Sequence, residues 1–178
     1  ALPGVATDPL AALRAAQKLP ALKGNRALRV DDDGEAIRWS SNGGQAAVLL
    51  RAIDNKDSWI ATVDLKNAAL KPVHRISDTA WVNSDNNDFG WLPDNATLWF
   101  QSEESGYAHL YTLAVDGVTR ALTQGKWEAT RIQWSADGAT AVLLSNPDKP
   151  GTYEACDGAA KGAESAAGRA SRRRGRGT

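Results

Sequence analysis

The sequence predicts an all-β chain built from repeated four-stranded units, and two observations carry that prediction. From about residue 36 to 153, short runs rich in Val, Ile, Leu, Trp and Tyr alternate with Gly, Asn, Asp and Pro punctuation, with no run of helical period between them. Within this stretch one pattern recurs: IRWSSNGG (37–44), FGWLPDNA (89–96) and IQWSADGA (132–139). Each is an apolar residue, one further residue, a Trp, a short polar stretch, a turn pair and a second strand. The tryptophans Trp39, Trp91 and Trp134 stand 52 and 43 residues apart. Four strands in a unit of about 40–50 residues is the pattern of a β-propeller blade. The expected fold is therefore an incomplete β-propeller of about two and a half four-stranded blades, with a short N-terminal helix and a disordered C-terminal tail.

Residues 1–35 form an N-terminal arm. The stretch TDPLAALRAAQKLPAL reads as a short helix. Asp8 can accept from the free amides of its first turn, and Pro9 suits the first helical position, where its missing N–H has no intrahelical role. Pro20 disfavours helical geometry at Leu19 and stops the helix there. Leu10 and Leu13 supply one apolar stripe, as in a docking or linker helix.

The propeller segment, 36–153, holds ten candidate strands: Ile37–Ser40, Ala46–Ala52, Ser58–Leu65, Lys71–Ser77, Asp88–Trp91, Thr97–Ser102, Ala108–Val115, Thr119–Thr123, Ala129–Ser135 and Thr140–Asn146. Between first and second strands, NGG, PDN and ADG supply residues that tolerate positive φ, as tight antiparallel hairpins require. A Trp at one fixed place per unit offers a large apolar plate to bury between neighbouring sheets. A lone blade cannot bury both of its faces, so the units must stack. The third unit loses the pattern near Tyr153, and closed propellers have about 4–8 blades. The chain is accordingly expected to be part of a larger propeller, and its lack of Met, initiator included, suggests a start inside a longer reading frame or after processing.

Residues 154–178 form an Ala/Gly/Arg-rich tail with almost no apolar bulk, for which disorder is expected. The net charge of zero hides an asymmetry: residues 1–154 hold 15 Lys+Arg and 19 Asp+Glu, whereas 155–178 hold 6 and 2. Clustered Arg could neutralise phosphates, but nucleic acid is the less favoured partner. A solvated end without selected function, or a tail read out of frame where a third blade strand is due, accounts for the composition better. Cys156 is the single cysteine and cannot form an internal disulfide. No apolar run is long enough to span a membrane, and neither a signal peptide nor zinc-type Cys/His spacing is present.

The order NDFGWLPDNATLWFQSEESGYAHLYTL (87–113), then LTQGKWEATRIQWSADG (122–138), resembles the N-terminal propeller of the dipeptidyl peptidase IV family, in the prolyl oligopeptidase group of serine peptidases. The match rests on Phe89, Trp91, Pro93, Asp94, Ser102, Glu103, Glu104, Gly106, Tyr107, His109, Leu110 and Tyr111, then Leu122, Thr123, Gly125, Trp127 and Glu128. RAIDNKDSWIATVDL (51–65) is similar to bacterial members, and the resemblance covers about 8–153. It implies a full enzyme of propeller plus α/β-hydrolase domain that releases dipeptides from peptide N-termini, usually after Pro or Ala. The propeller would shape the access cavity. A periplasmic or secreted location is suggested by the resemblance alone.

An α/β-hydrolase nucleophile needs a G-x-S-x-G elbow, and this sequence has none. In that fold the triad His follows the Ser, and the only histidines are His74 and His109, both in candidate strands. No catalytic, cofactor-binding or metal residue is therefore assigned, and peptides are expected to be handled only by the full enzyme. The family grips the substrate amine with two glutamates, in a motif absent here. Glu103 and Glu104 match the loop before a third blade strand instead, with carboxylates solvated or accepting turn amides. His109 is expected to be a packed strand residue. DDDG (31–34) and SDNNDFG (84–90) suggest calcium loops, but neither keeps the EF-hand spacing, so both are read as turns. Open blade edges favour self-association. A stand-alone binding module with a basic tail is the other reading; salt-sensitive nucleic-acid retention lost with residues 155–178 would favour it.

Overall fold

A computed structural model describes residues 11–21, 28–30, 36–146 and 154–159. Asp8, Pro9, Leu10, the DDDG segment and the tail beyond Ala159 lie outside the described residues. The helix α1 spans Ala11–Ala16. It ends earlier than Pro20 alone would require, because Lys18 adopts φ 57° and closes a Schellman turn. In that turn Lys18 N–H donates to Ala15 O (3.0 Å) and Leu19 N–H to Arg14 O (2.9 Å). The Arg14 guanidinium then donates to Pro20 O at 2.8 and 3.0 Å.

Three antiparallel sheets follow. Blade 1 comprises β1 (Leu28–Val30), β2 (Ile37–Trp39), β3 (Ala46–Ala52), β4 (Asp57–Asp64) and β5 (Ala69–Ser77). Blade 2 comprises β6 (Phe89–Trp91), β7 (Thr97–Ser102), β8 (His109–Ala114) and β9 (Thr119–Ala121). Blade 3 comprises β10 (Ala129–Trp134), β11 (Thr140–Ser145) and β12 (Glu154–Ala159). Each sheet is a meander in chain order, apart from β1 and β2, which lie end to end on the same edge of β3. All ten expected strands form, with ends moved by at most two residues.

Two strands were not foreseen. β1, inside the expected arm, extends the first blade by pairing Val30 with Leu50 and Leu28 with Ala52. β12 takes the third-strand place in blade 3, pairing Glu154 with Ser145 and Ala159 with Thr140. The sheet thus runs six residues past the boundary read from composition at 153/154.

Strand alternation gives each blade two faces, and the blades stack by them. Between blades 1 and 2 lie Ala47, Leu49, Ile60, Val73 and Ile76 against Phe89, Leu98, Phe100, Tyr111 and Leu113. Between blades 2 and 3, Leu110 and Trp99 meet Ala129, Ile132, Trp134, Ala141 and Leu143. A separate cluster of Val48, Leu50, Ala52, Trp59 and Ala61 is buried on the far face of blade 1.

The repeated Trp faces the preceding blade. Trp91 packs on the first junction and Trp134 on the second. Trp39, whose blade follows no described sheet, is 55% exposed. Glycine is needed where an indole lies across a neighbouring strand: a Cβ on Gly90 would stand 2.9 Å from Trp99 Nε1.

Candidate functional site

The segment SEESGY leaves β7 at Ser102 and returns to β8 at His109. Gly106 N–H donates to Glu103 O at 2.8 Å, and Gly106 takes φ 95°, which suits a residue without Cβ. Ser102 Oγ accepts the Glu104 amide at 3.1 Å. This tight turn sends its two carboxylates in different directions.

Glu104 Oε2 lies 2.9 Å from His74 Nε2, on β5 of the neighbouring blade. The His74 ring rests on Phe100 at 4.6 Å between centroids. Glu103 Oε1 accepts from Asn83 Nδ2 at 3.0 Å and from Asn86 Nδ2, both in the connection between blades 1 and 2. The carboxylates therefore bind side chains from the preceding blade and the inter-blade connection, where solvent or turn amides had been expected. Tyr111 OH donates to Ser105 Oγ at 3.1 Å. Burial raises the Tyr111 phenol above its ordinary value, and the nearby Glu104 charge adds to the effect against the Ser105 hydrogen bond.

His109 sits where the sequence placed it, packed in a strand and 1% exposed. Its Nε2 contacts Gly125 O and its Nδ1 contacts Thr123 Oγ1, each at 3.0 Å. A carbonyl can only accept, so Nε2 carries a hydrogen. Trp127 meets the ring edge-on at 5.1 Å.

Neither histidine is arranged to activate a nucleophile. Around His74, Glu104 Oε2 lies 2.9 Å from Nε2 and Thr119 Oγ1 lies 3.5 Å from Nδ1. That hydroxyl stands outside the range of about 2.6–3.2 Å at which an imidazole activates a nucleophile. The SDNNDFG segment is used structurally: Asp88 Oδ1 lies 3.4 Å from Arg38 NH2, and Asn86 Oδ1 accepts from Gln101 Nε2 at 3.1 Å. Among the described residues, no group of three or more His, Cys, Asp or Glu is placed to hold a metal ion. The partnership of Glu103 with Asn83 and Asn86 was missed at the sequence level, since both asparagines read equally well as turn residues.

Three antiparallel sheets stacked face to face, the second and third each marked by a Trp turned toward the sheet before it, define a segment of a β-propeller. Residues 34–154 match the model of the dipeptidyl peptidase IV (DPP IV) N-terminal region, and the chain belongs to that family. It is similar in structure to dipeptidyl peptidase 4 of Porphyromonas gingivalis, with 25% identity over 79% of this chain and a TM-score of 0.61. It spans 20% of that relative's length. TolB from Acinetobacter baumannii shares the fold at 22% identity and a TM-score of 0.50, over 68% of this chain and 29% of the relative.

Proposed function

We propose that the chain serves as the propeller part of a dipeptidyl peptidase IV-type serine exopeptidase. It packs on an α/β-hydrolase domain and helps to limit which peptides reach the nucleophile, without performing hydrolysis itself. The observation carrying this reading is the likeness to the P. gingivalis enzyme across 79% of the chain. The commitment of both histidines to structural partners supports a scaffold role. The SEESGY turn, tied across the blade junction by Glu103 and Glu104, acts as a fixed rim in this reading.

A chimera tests it. Residues 34–154 replace the matching segment of the P. gingivalis enzyme, and hydrolysis of glycyl-prolyl-p-nitroanilide is compared with that of longer peptides. Retained dipeptide release with a retained size limit is expected. A folded chimera that releases nothing, or hydrolysis by the isolated chain, contradicts the proposal.

A further inference from the structure

Strand β10 carries an irregularity that its fold does not require. A bulge interrupts its pairing with β11 between Thr130 and Gln133. Arg131 occupies that bulge with φ 50°, a conformation most easily taken by Gly. Strain of this kind persists where surrounding structure holds it and marks candidate functional positions.

The bulge opens on a groove of about 680 Å³, in the size range of ligand sites. Asp85, Asn86 and Gln101 line its blade-2 side, and Thr130, Arg131 and Gln133 its blade-3 side. Arg131 is exposed and has neither a hydrogen bond nor an ion pair among the described residues. Asp88, also in the lining, is held by Arg38 and so does not compete for that guanidinium. Among the described strands β10 pairs with β11 alone; on its other edge Ala129 is tied to Ala108 O and Gln101 Nε2, and the stretch beyond it has no strand partner.

An unpaired strand edge recognises an extended main chain by adding it as a further strand. A free guanidinium recognises a carboxylate through two parallel hydrogen bonds. Asp85, on the opposite side, disfavours a polyanion and favours a ligand of mixed charge. We propose that this groove binds an extended peptide along the free edge of β10, with a peptide carboxylate on Arg131. The inference deepens the peptidase reading above by naming a contact surface for peptide outside the hydrolytic centre.

The probe is a blocked hexapeptide of alternating valine and polar residues carrying one glutamate and one lysine. Its binding to the whole chain is measured by titration calorimetry against the same peptide with glutamine for glutamate. The glutamate peptide is expected to bind roughly tenfold more tightly, as one charge-assisted pair allows. Arg131→Gly should abolish that preference while raising the thermal midpoint, because Gly relieves the backbone at φ 50°. Arg131→Lys should keep part of the preference.

Equal affinity for the two peptides, a preference that survives Arg131→Gly, or an unchanged midpoint in that variant would each overturn the proposal. So would tighter binding of heparin than of the peptide. Binding is read on this chain alone and dipeptide release on the chimera, so either idea can fail while the other stands.

Discussion

The two blade junctions use the same repeat in different ways. At the junction of blades 1 and 2, Trp91 Nε1–H donates to Arg38 O at 3.0 Å. Arg38 Nε–H returns a hydrogen bond to Phe89 O at 3.2 Å, and its guanidinium sits 5.9 Å from the Phe89 ring centroid. Asn95 Oδ1 accepts from Ser41 Oγ and Asn42 N–H, and Glu104 meets His74. At the junction of blades 2 and 3, Trp134 reaches the same place in the repeat. Its ring lies 6.2 Å from Trp99, but its buried Nε1 has no hydrogen-bond partner among the described residues. The ties there come from Ala129: its N–H donates to Ala108 O, and its carbonyl accepts from Gln101 Nε2, both at 2.7 Å. One sequence pattern thus sets the direction of stacking, while the residues around it decide whether a junction is fastened by polar contacts or held mainly by packed indoles.

The largest expected effect comes from breaking the first junction at its centre. Phe100 is 1% exposed and stacks on Tyr111 at 5.0 Å. Phe100→Ala should cost about 3–5 kcal/mol, read from urea unfolding. Leu143→Ala in the second junction should cost less, and a larger loss there would break the comparison.

The paired indoles sharpen it. Trp91→Phe removes the N–H donor to Arg38 O and should cost about 0.5–1.5 kcal/mol beyond the lost ring area. Trp134→Phe removes an N–H that is already unsatisfied, so its urea midpoint should fall less. Equal losses would mean that the two indoles are equivalent.

Titration separates the junctions further. The Tyr111 pKa is raised in the folded chain, so its contribution is complete below the ordinary value of 10.0 and declines as pH rises beyond it. Tyr111→Phe should flatten that alkaline loss in a thermal-midpoint profile. In the first hairpin of blade 3, Asp137 accepts from Ser135 Oγ at 2.6 Å and from Ala139 N–H at 3.0 Å. These hydrogen bonds, the Ser135 one foremost, hold its carboxyl below 3.8. Its contribution is present above that value and lost as pH falls through the lower folded pKa. Asp137→Asn should flatten the acid limb and leave the alkaline one unchanged.

The smallest effect concerns self-association. Val142 is 49% exposed on the face of blade 3 turned away from blade 2. Val142→Glu should reduce concentration-dependent association in sedimentation velocity without shifting the thermal midpoint of dilute protein.

Much of the fold was legible because each first hairpin carries its own punctuation. PDN and ADG place Asn95 and Gly138 at positive φ, and Asp94 and Asp137 side chains cap the same turns. β1 escaped notice because its three residues are too few to carry a strand pattern and form no hairpin with β3. β12 did so because EACDGA offers little β-branched or aromatic bulk, and pairing to β11 forms it regardless. The carboxylate pair was visible, but its partners were not. His74 lies 30 residues from Glu104 and Asn83 lies 20 from Glu103, and only blade stacking brings them together. The left-handed conformation of Arg131 had no local signal, since the residue type argues against it.

The claim on which this account rests is that the Trp-marked hairpins belong to successive blades stacked face to face. The direct test is a disulfide between their turns, made with Ser41→Cys and Asn95→Cys in a Cys156→Ser background. In the structure these side chains meet at 2.9 Å, 54 residues apart. Stacking predicts rapid intramolecular cross-linking of the monomer under mild oxidation, visible as faster migration on non-reducing gels. A monomer that stays reduced, or cross-links only between chains, would contradict it.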